Sequence, residues 1–111
     1  MLRIDINDPN FILDDMPTSW GAGVFRYNGE LFTGIAFAYF PGTSNFSDES
    51  EFREGIAEGR QVEYWPNGIM REEHNEKYGK LIGTCKEWNE QGILTSHQEY
   101  DDNGNFLRII I

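Results

Sequence analysis

The chain has 111 residues, 39% of them hydrophobic and 14% aromatic, with 12 glycines. That is one domain's worth of chain with material for a modest core, and it excludes a disordered composition. Acidic residues outnumber basic ones 19 to 9, and the net charge of −10 disfavours nucleic acid and anionic membrane, which need cationic patches.

The opening MLRIDINDPNF has no basic start leading into an apolar run, so no secretory signal is expected. No apolar stretch approaches the roughly 18 residues of a spanning helix. Cys85 is the only cysteine, which precludes an internal disulfide and favours a reducing, cytoplasmic setting. Leu2, Ile4 and Ile6 alternate with Arg3 and Asp5 and predict a strand at Leu2–Ile6. Further strands are predicted at Val24–Tyr27, Ile35–Phe40, Arg60–Trp65, Ile69–Asn75, Thr84–Trp88, Ile93–Tyr100 and Phe106–Ile110. No window sustains a capped 3.6-residue apolar period, so no helix is expected. Residues 1–20 match none of the repeats that follow and are expected to extend or cap a single domain, 1–111.

Repetition organises the rest. A shift of 24 positions lays Gly59 on Gly83, Glu63 on Glu87, Tyr64 on Trp88, Gly68 on Gly92, Ile69 on Ile93 and Met70 on Leu94. A shift of 25 lays Gly34 on Gly59, Phe37 on Val62, Tyr39 on Tyr64 and Pro41 on Pro66. Between these blocks an aromatic residue and a glycine recur, in YNGELFTG from Tyr27, FREGIAEG from Phe52 and YGKLIG from Tyr78. Residues 21–111 thus hold about three units, the first broken by an insertion, GTSNFSDES, at 42–50.

Asn67-Gly68 between apolar runs signals a hairpin. A two-residue loop would put Pro66 in the ladder without an N–H. A three-residue loop, Pro66-Asn67-Gly68, is therefore expected, with Gly68 left-handed and Gly92 its counterpart. This register pairs Trp65 with Ile69, Tyr64 with Met70, Glu63 with Arg71, Trp88 with Leu94 and Cys85 with His97. One hairpin cannot bury its own apolar face. The expected fold is therefore all-β: an elongated single sheet, a meander of consecutive β-hairpins. Tyr39, Tyr64, Met70, Trp88 and Leu94, with Phe37 and Val62, form the predicted apolar face and repeat core. Gln61, Glu63, Glu73, Glu87 and Glu99 form the polar face.

These stretches resemble MORN repeats, and more closely the variant MORN repeat of bacterial proteins. EYWPNGIM with KYGKLIG and KEWNEQGIL with YDDNGNF match; YFPG with YNGELFTG matches less well. The resemblance covers Tyr27 to Phe106 apart from the insertion. It implies an elongated sheet of MORN-like hairpins, an interaction module, and the antitoxin or immunity role often assigned to bacterial members. Eukaryotic arrays are linked to membranes, an association that the −10 charge disfavours.

Chemistry is sparse. Cys85 beside His97 offers a thiolate–imidazole pair, without any nucleophile-elbow or oxyanion-loop pattern. His74 and His97 fall on opposite faces, against a joint metal site. DDNGN at Asp101–Asn105 begins like a calcium loop, but Phe106 stands where glycine is needed, and a polar hairpin turn is expected. No cofactor motif is present. The candidate partner-binding residues are Glu63, Trp65, Glu73 and Glu87 on the sheet. Phe46, Asp48 and Glu49 join them from the insertion, where a departure from the repeat tends to carry function. The expectation is a non-enzymatic antitoxin or immunity protein that occludes a basic toxin. It would be a monomer or weak homo-oligomer, without cofactor, metal, nucleic acid or membrane. The alternative is a scaffold that self-associates or binds another protein, using an exposed sheet edge.

Overall fold

A computed structural model describes residues 1–14 and 23–111. Part of the expected N-terminal cap, 15–20, lies outside the described residues. Eleven strands run in chain order: β1 Arg3–Asp5, β2 Phe11–Asp14, β3 Val24–Tyr27, β4 Glu30–Leu31, β5 Gly34–Tyr39, β6 Phe46–Arg53, β7 Ile56–Tyr64, β8 Met70–Lys77, β9 Lys80–Trp88, β10 Leu94–Tyr100 and β11 Phe106–Ile109. The described residues contain no helix, hence none long and apolar enough to cross a membrane.

The fold is all-β, as expected, but not a single sheet. Eight strands form one sheet in the order β1-β5-β6-β7-β8-β9-β10-β11, and three form a second in the order β2-β3-β4. From β5 to β11 each strand pairs antiparallel with the next. The expected strand Leu2–Ile6 exists as β1 but lies parallel to β5, with Ile4 opposite Ala36, so the sheet is mixed. Strands β2 and β4 have no counterpart in the sequence reading, since both are short and β2 lies outside the repeat.

The turns explain the two interleaved signals. At one end of the large sheet are the wide loops. Trp65 N–H donates to Ile69 O (2.7 Å) and Gly68 N–H to Trp65 O (2.9 Å), which is the expected three-residue loop. Asn89–Ile93 repeats both bonds, at 2.9 Å each. At the other end the aromatic–glycine signal marks two-residue turns. Glu54-Gly55 has φ of 51° and 83°, and Tyr78-Gly79 has 51° and 75°, the primed geometry that matches strand twist.

The expected insertion at 42–50 is not one. Phe40 N–H donates to Asn45 O (2.9 Å) and Thr43 N–H to Phe40 O (3.0 Å), so this loop is the wide loop with one added residue. Phe46 to Ser50 belong to the return strand β6. Gly42-Thr43 conceals the turn because it stands where Asn67-Gly68 marks the next one.

The core lies at one end of the large sheet. The small sheet packs on one end of the large one through Phe11, Phe25, Phe32 and Phe52. Phe11 stacks on Phe25 with centroids 4.9 Å apart, and Phe25 meets Phe52 edge-on at 5.3 Å. Phe32 is 2% exposed and sits with Ile4 and Ala36. Each buried aromatic contributes about 1.5–3 kcal/mol, and each ring pair about 0.5–1.5 more. The expected repeat core is a correction by comparison. Tyr64, Met70, Trp88 and Leu94 are only half-buried, and Tyr39 is 39% exposed. The reason is topological: no described strand lies over that part of the sheet.

Gly55 ties the two sheets together. It accepts from Phe25 N–H and donates to Phe32 O, both at 2.8 Å. A Cβ there would lie 2.8 Å from Phe25 O and 3.0 Å from Val24 Cβ. Gly68, at φ +90°, has open space around it. Gly68→Ala should therefore cost only the left-handed conformation, about 1–2 kcal/mol. Gly55→Ala should cost more, because it also pushes the small sheet off its seat. Urea denaturation of both variants checks the order.

Candidate functional site

A bulge follows each wide loop. Tyr39 pairs with Phe46 but Ala38 with Asp48, leaving Ser47 unpaired. Tyr64 pairs with Met70 but Glu63 with Glu72, leaving Arg71 unpaired. Trp88 pairs with Leu94 but Glu87 with Ser96, leaving Thr95 unpaired. An extra residue shifts every later side chain to the other face of its strand. Two expected pairs are thereby corrected. Glu63 stands opposite Glu72, not Arg71, and Cys85 stands opposite His74 and Gln98, not His97.

Directly paired residues share a face. Asp48 is opposite Glu63, Glu63 opposite Glu72, and Glu72 opposite Glu87, so four carboxylates cross four strands in one row. The next row on this face is Ser50, Gln61, His74, Cys85 and Gln98. His74 adds contacts to two more carboxylate oxygens. Its Nε2 is 2.9 Å from Glu76 Oε1, and its Nδ1 is 3.2 Å from Glu72 Oε1 without hydrogen-bond alignment.

Arg71 is the cation within the row. It pairs with Glu63 and lies 5.5 Å above the Trp65 ring. The hydrogen bond that Arg71 donates to Glu63, opposed by partial burial and helped by the charges of Glu63, Glu72 and Glu87, raises its pKa further. Trp65 in turn donates from Nε1 to Trp88 O at 3.0 Å, and Asn67 Nδ2 to Glu90 O at 2.9 Å, so neighbouring loops hold each other. Two equivalent grooves open between the loops. One, of about 390 Å³, is lined by Phe40, Ser47, Asp48, Glu63, Trp65 and Arg71 among others. The other, of about 400 Å³, is lined by Trp65, Arg71, Glu72, Glu87, Asn89 and Thr95, with Trp88.

The structure thus brings Asp48, Glu63, Trp65 and Glu87 together. It places the other expected partner-binding residues on the opposite, aromatic face. Phe46 stacks on Tyr39 there. Glu49 accepts from Tyr64 Oη (2.6 Å) and Arg3 Nη2 (2.6 Å). Burial opposes ionisation of Glu49, but the Tyr64 and Arg3 bonds outweigh it and lower the pKa. Glu73 pairs with Arg60 and Glu99 with Arg108, so both leave the expected polar face. Sequence reading missed Glu72 because plain alternation from Met70 sends it to the wrong side, whereas the expected Glu63–Arg71 charge pair is present as an ion pair. Ser47, Arg71 and Thr95 share no residue type, so the bulge position carried no signal in the sequence.

His74 and His97 do lie on opposite faces, His97 opposite Lys86. Among the described residues, no group of three or more His, Cys, Asp or Glu is arranged to hold a metal ion. Asp101 spends its carboxylate on its own turn, accepting from Asn103 N–H (2.9 Å) and Asn105 N–H (2.8 Å). Burial, with Glu72 and Glu87 nearby, pushes the Cys85 thiol up to about 11. Such a thiol is protonated at neutral pH and makes a poor nucleophile. Comparison with protein-family models, curated proteins and solved structures gives no match.

Three outcomes follow from this geometry. Iodoacetamide should alkylate native Cys85 about 100-fold more slowly at pH 8 than a free thiol, with the rate rising through pH 11. Since the folded value lies above the unfolded one, stability should fall as pH climbs from about 9 to about 11. Glu87→Gln removes one of two facing like charges at an exposed position. It should raise stability by about 0.5 kcal/mol at low salt and less at high salt, read by thermal unfolding.

Proposed function

We propose that this chain is a non-enzymatic interaction module whose acidic face binds a basic surface on a protein partner. The observation that carries the reading is the row Asp48, Glu63, Glu72 and Glu87. Facing carboxylates destabilise a sheet. Folding alone gives no reason to align four of them with a single arginine between. A cationic partner relieves that repulsion on binding, and its charge is drawn towards the −10 chain during encounter. Trp65 at the mouth of both grooves supplies the apolar anchor that charge alone lacks.

Within this reading, strands β5–β11 form a meander of the variant MORN type, and the partner is a toxin that the acidic face occludes. The 24-residue spacing and the glycine loops support that assignment, as does the net charge. The charge also speaks against anionic membrane and nucleic acid as partners.

The test is co-expression with the product of the adjacent gene, followed by measurement of the complex at low and high salt. Affinity should drop at least about tenfold from 50 to 500 mM salt, and Trp65→Ala should weaken binding by about 2 kcal/mol. Glu63→Gln combined with Glu72→Gln and Glu87→Gln should weaken binding while leaving the sheet at least as stable. Binding that ignores both salt and the triple substitution would rule out this face.

A further inference from the structure

The acidic face leaves the opposite one to be explained. On it, Tyr39 pairs with Phe46, Tyr64 with Met70 and Trp88 with Leu94, one pair on each successive hairpin. These six residues lay an apolar band across six strands, β5 to β10. No described strand covers it. No described residue after Val62 is buried at all.

Charge on this face is balanced locally, unlike that on the other. Glu49 has Arg3 at 2.6 Å, Glu73 has Arg60 at 2.5 Å, and Glu99 has Arg108 at 3.1 Å. Lys86 lies in the same row as Glu73. The face therefore offers neither a cationic nor an anionic partner a net attraction. With Asp5 and Glu51 also on it, the face holds five carboxylates against Arg3, Arg60, Lys86 and Arg108, so it is close to neutral and can approach its own copy with little net repulsion. Seven strands about 4.8 Å apart, each about 25 Å long, give a face on the order of 800 Å². That is the area each partner contributes to a stable interface of standard size.

We propose that two copies of this chain pack face to face through the Tyr39–Phe46, Tyr64–Met70 and Trp88–Leu94 band. The pair is a β-sandwich with its two acidic faces outward. Two sheets packed this way lie about 10 Å apart with interdigitated side chains. The interface differs from the sheet-edge contact expected of a scaffold, and it leaves the partner-binding row free on both sides.

Salt separates this interface from the acidic one. Each copy carries −10, so the dimer works against net repulsion, and screening should tighten it. The basic-partner complex should respond in the opposite sense. Sedimentation velocity of the wild-type chain from about 1 to 300 µM, at about 20 and 500 mM NaCl, should show a monomer–dimer equilibrium that shifts towards dimer at high salt. Leu94→Glu should weaken the dimer by more than about tenfold. Ile109→Lys, on the edge strand β11, should leave it unchanged. Because Leu94→Glu can disturb folding, Tyr39→Lys at the exposed end of the band serves as second variant, with circular dichroism as the check on both. A monomer at every concentration and salt overturns the proposal. So does a dimer that survives both band substitutions and is lost with Ile109→Lys.

Discussion

Everything on the acidic face depends on one unpaired residue after each wide loop. Ser47, Arg71 and Thr95 add a position to their strands, and the addition reverses which side chains face which side. Without it, Arg71 would stand opposite Glu63, and Glu72 would turn to the aromatic side. With it, Asp48, Glu63, Glu72 and Glu87 fall into line while the pairs nearest the loop keep their aromatic–aliphatic match. The loops hold this register in turn, since Trp65 and Asn67 each bond to the backbone of the next loop.

The two faces divide the net charge unequally. Ion pairs on the aromatic side neutralise Glu49, Glu73 and Glu99, whereas among the described residues the row on the other side has Arg71 and the His74 contacts. A sheet selected only for stability would not keep facing carboxylates. Their alignment is the kind of local conflict that natural sequences retain where function requires it. The raised Cys85 thiol is a by-product of the same row: Glu72 and Glu87, with burial, keep it protonated.

Much of the large sheet could be read from the chain, because glycine and aromatic residues recur at turns whose geometry restricts the choice of residue. Pro66 fixed the loop length, and the observed Trp65–Ile69 closure follows from its missing N–H. Register beyond the bulge could not be read, since a bulge residue such as Arg71 or Thr95 needs no special φ and so leaves no compositional mark. The β6 strand hid behind a loop in which Gly42-Thr43 replaces Asn-Gly and one residue is added. The core was missed for a different reason. Periodicity shows which face of a strand is apolar, not which face another layer covers, and the small sheet took the face opposite the aromatic band. Of the site, Glu63 and Glu87 were visible as acids at repeat spacing, Trp65 as an aromatic beside the turn, and Asp48 as part of the apparent insertion. Glu72, at the centre of the row, was not.

The position of the phenylalanine core at one end of the sheet has a mechanical consequence. Strands β5 and β6 are clamped between β1 and the small sheet, while β8 to β10 are held only by their neighbours on either side. In such an array each strand borrows its order from the one before, so opening is graded along the array rather than uniform. The acidic row runs down that gradient, from Asp48 beside the clamp to Glu87 three strands away. A body docking on it meets a fixed jaw at one end and a compliant one at the other, and the sheet can adjust its twist to an uneven surface without disturbing its anchor.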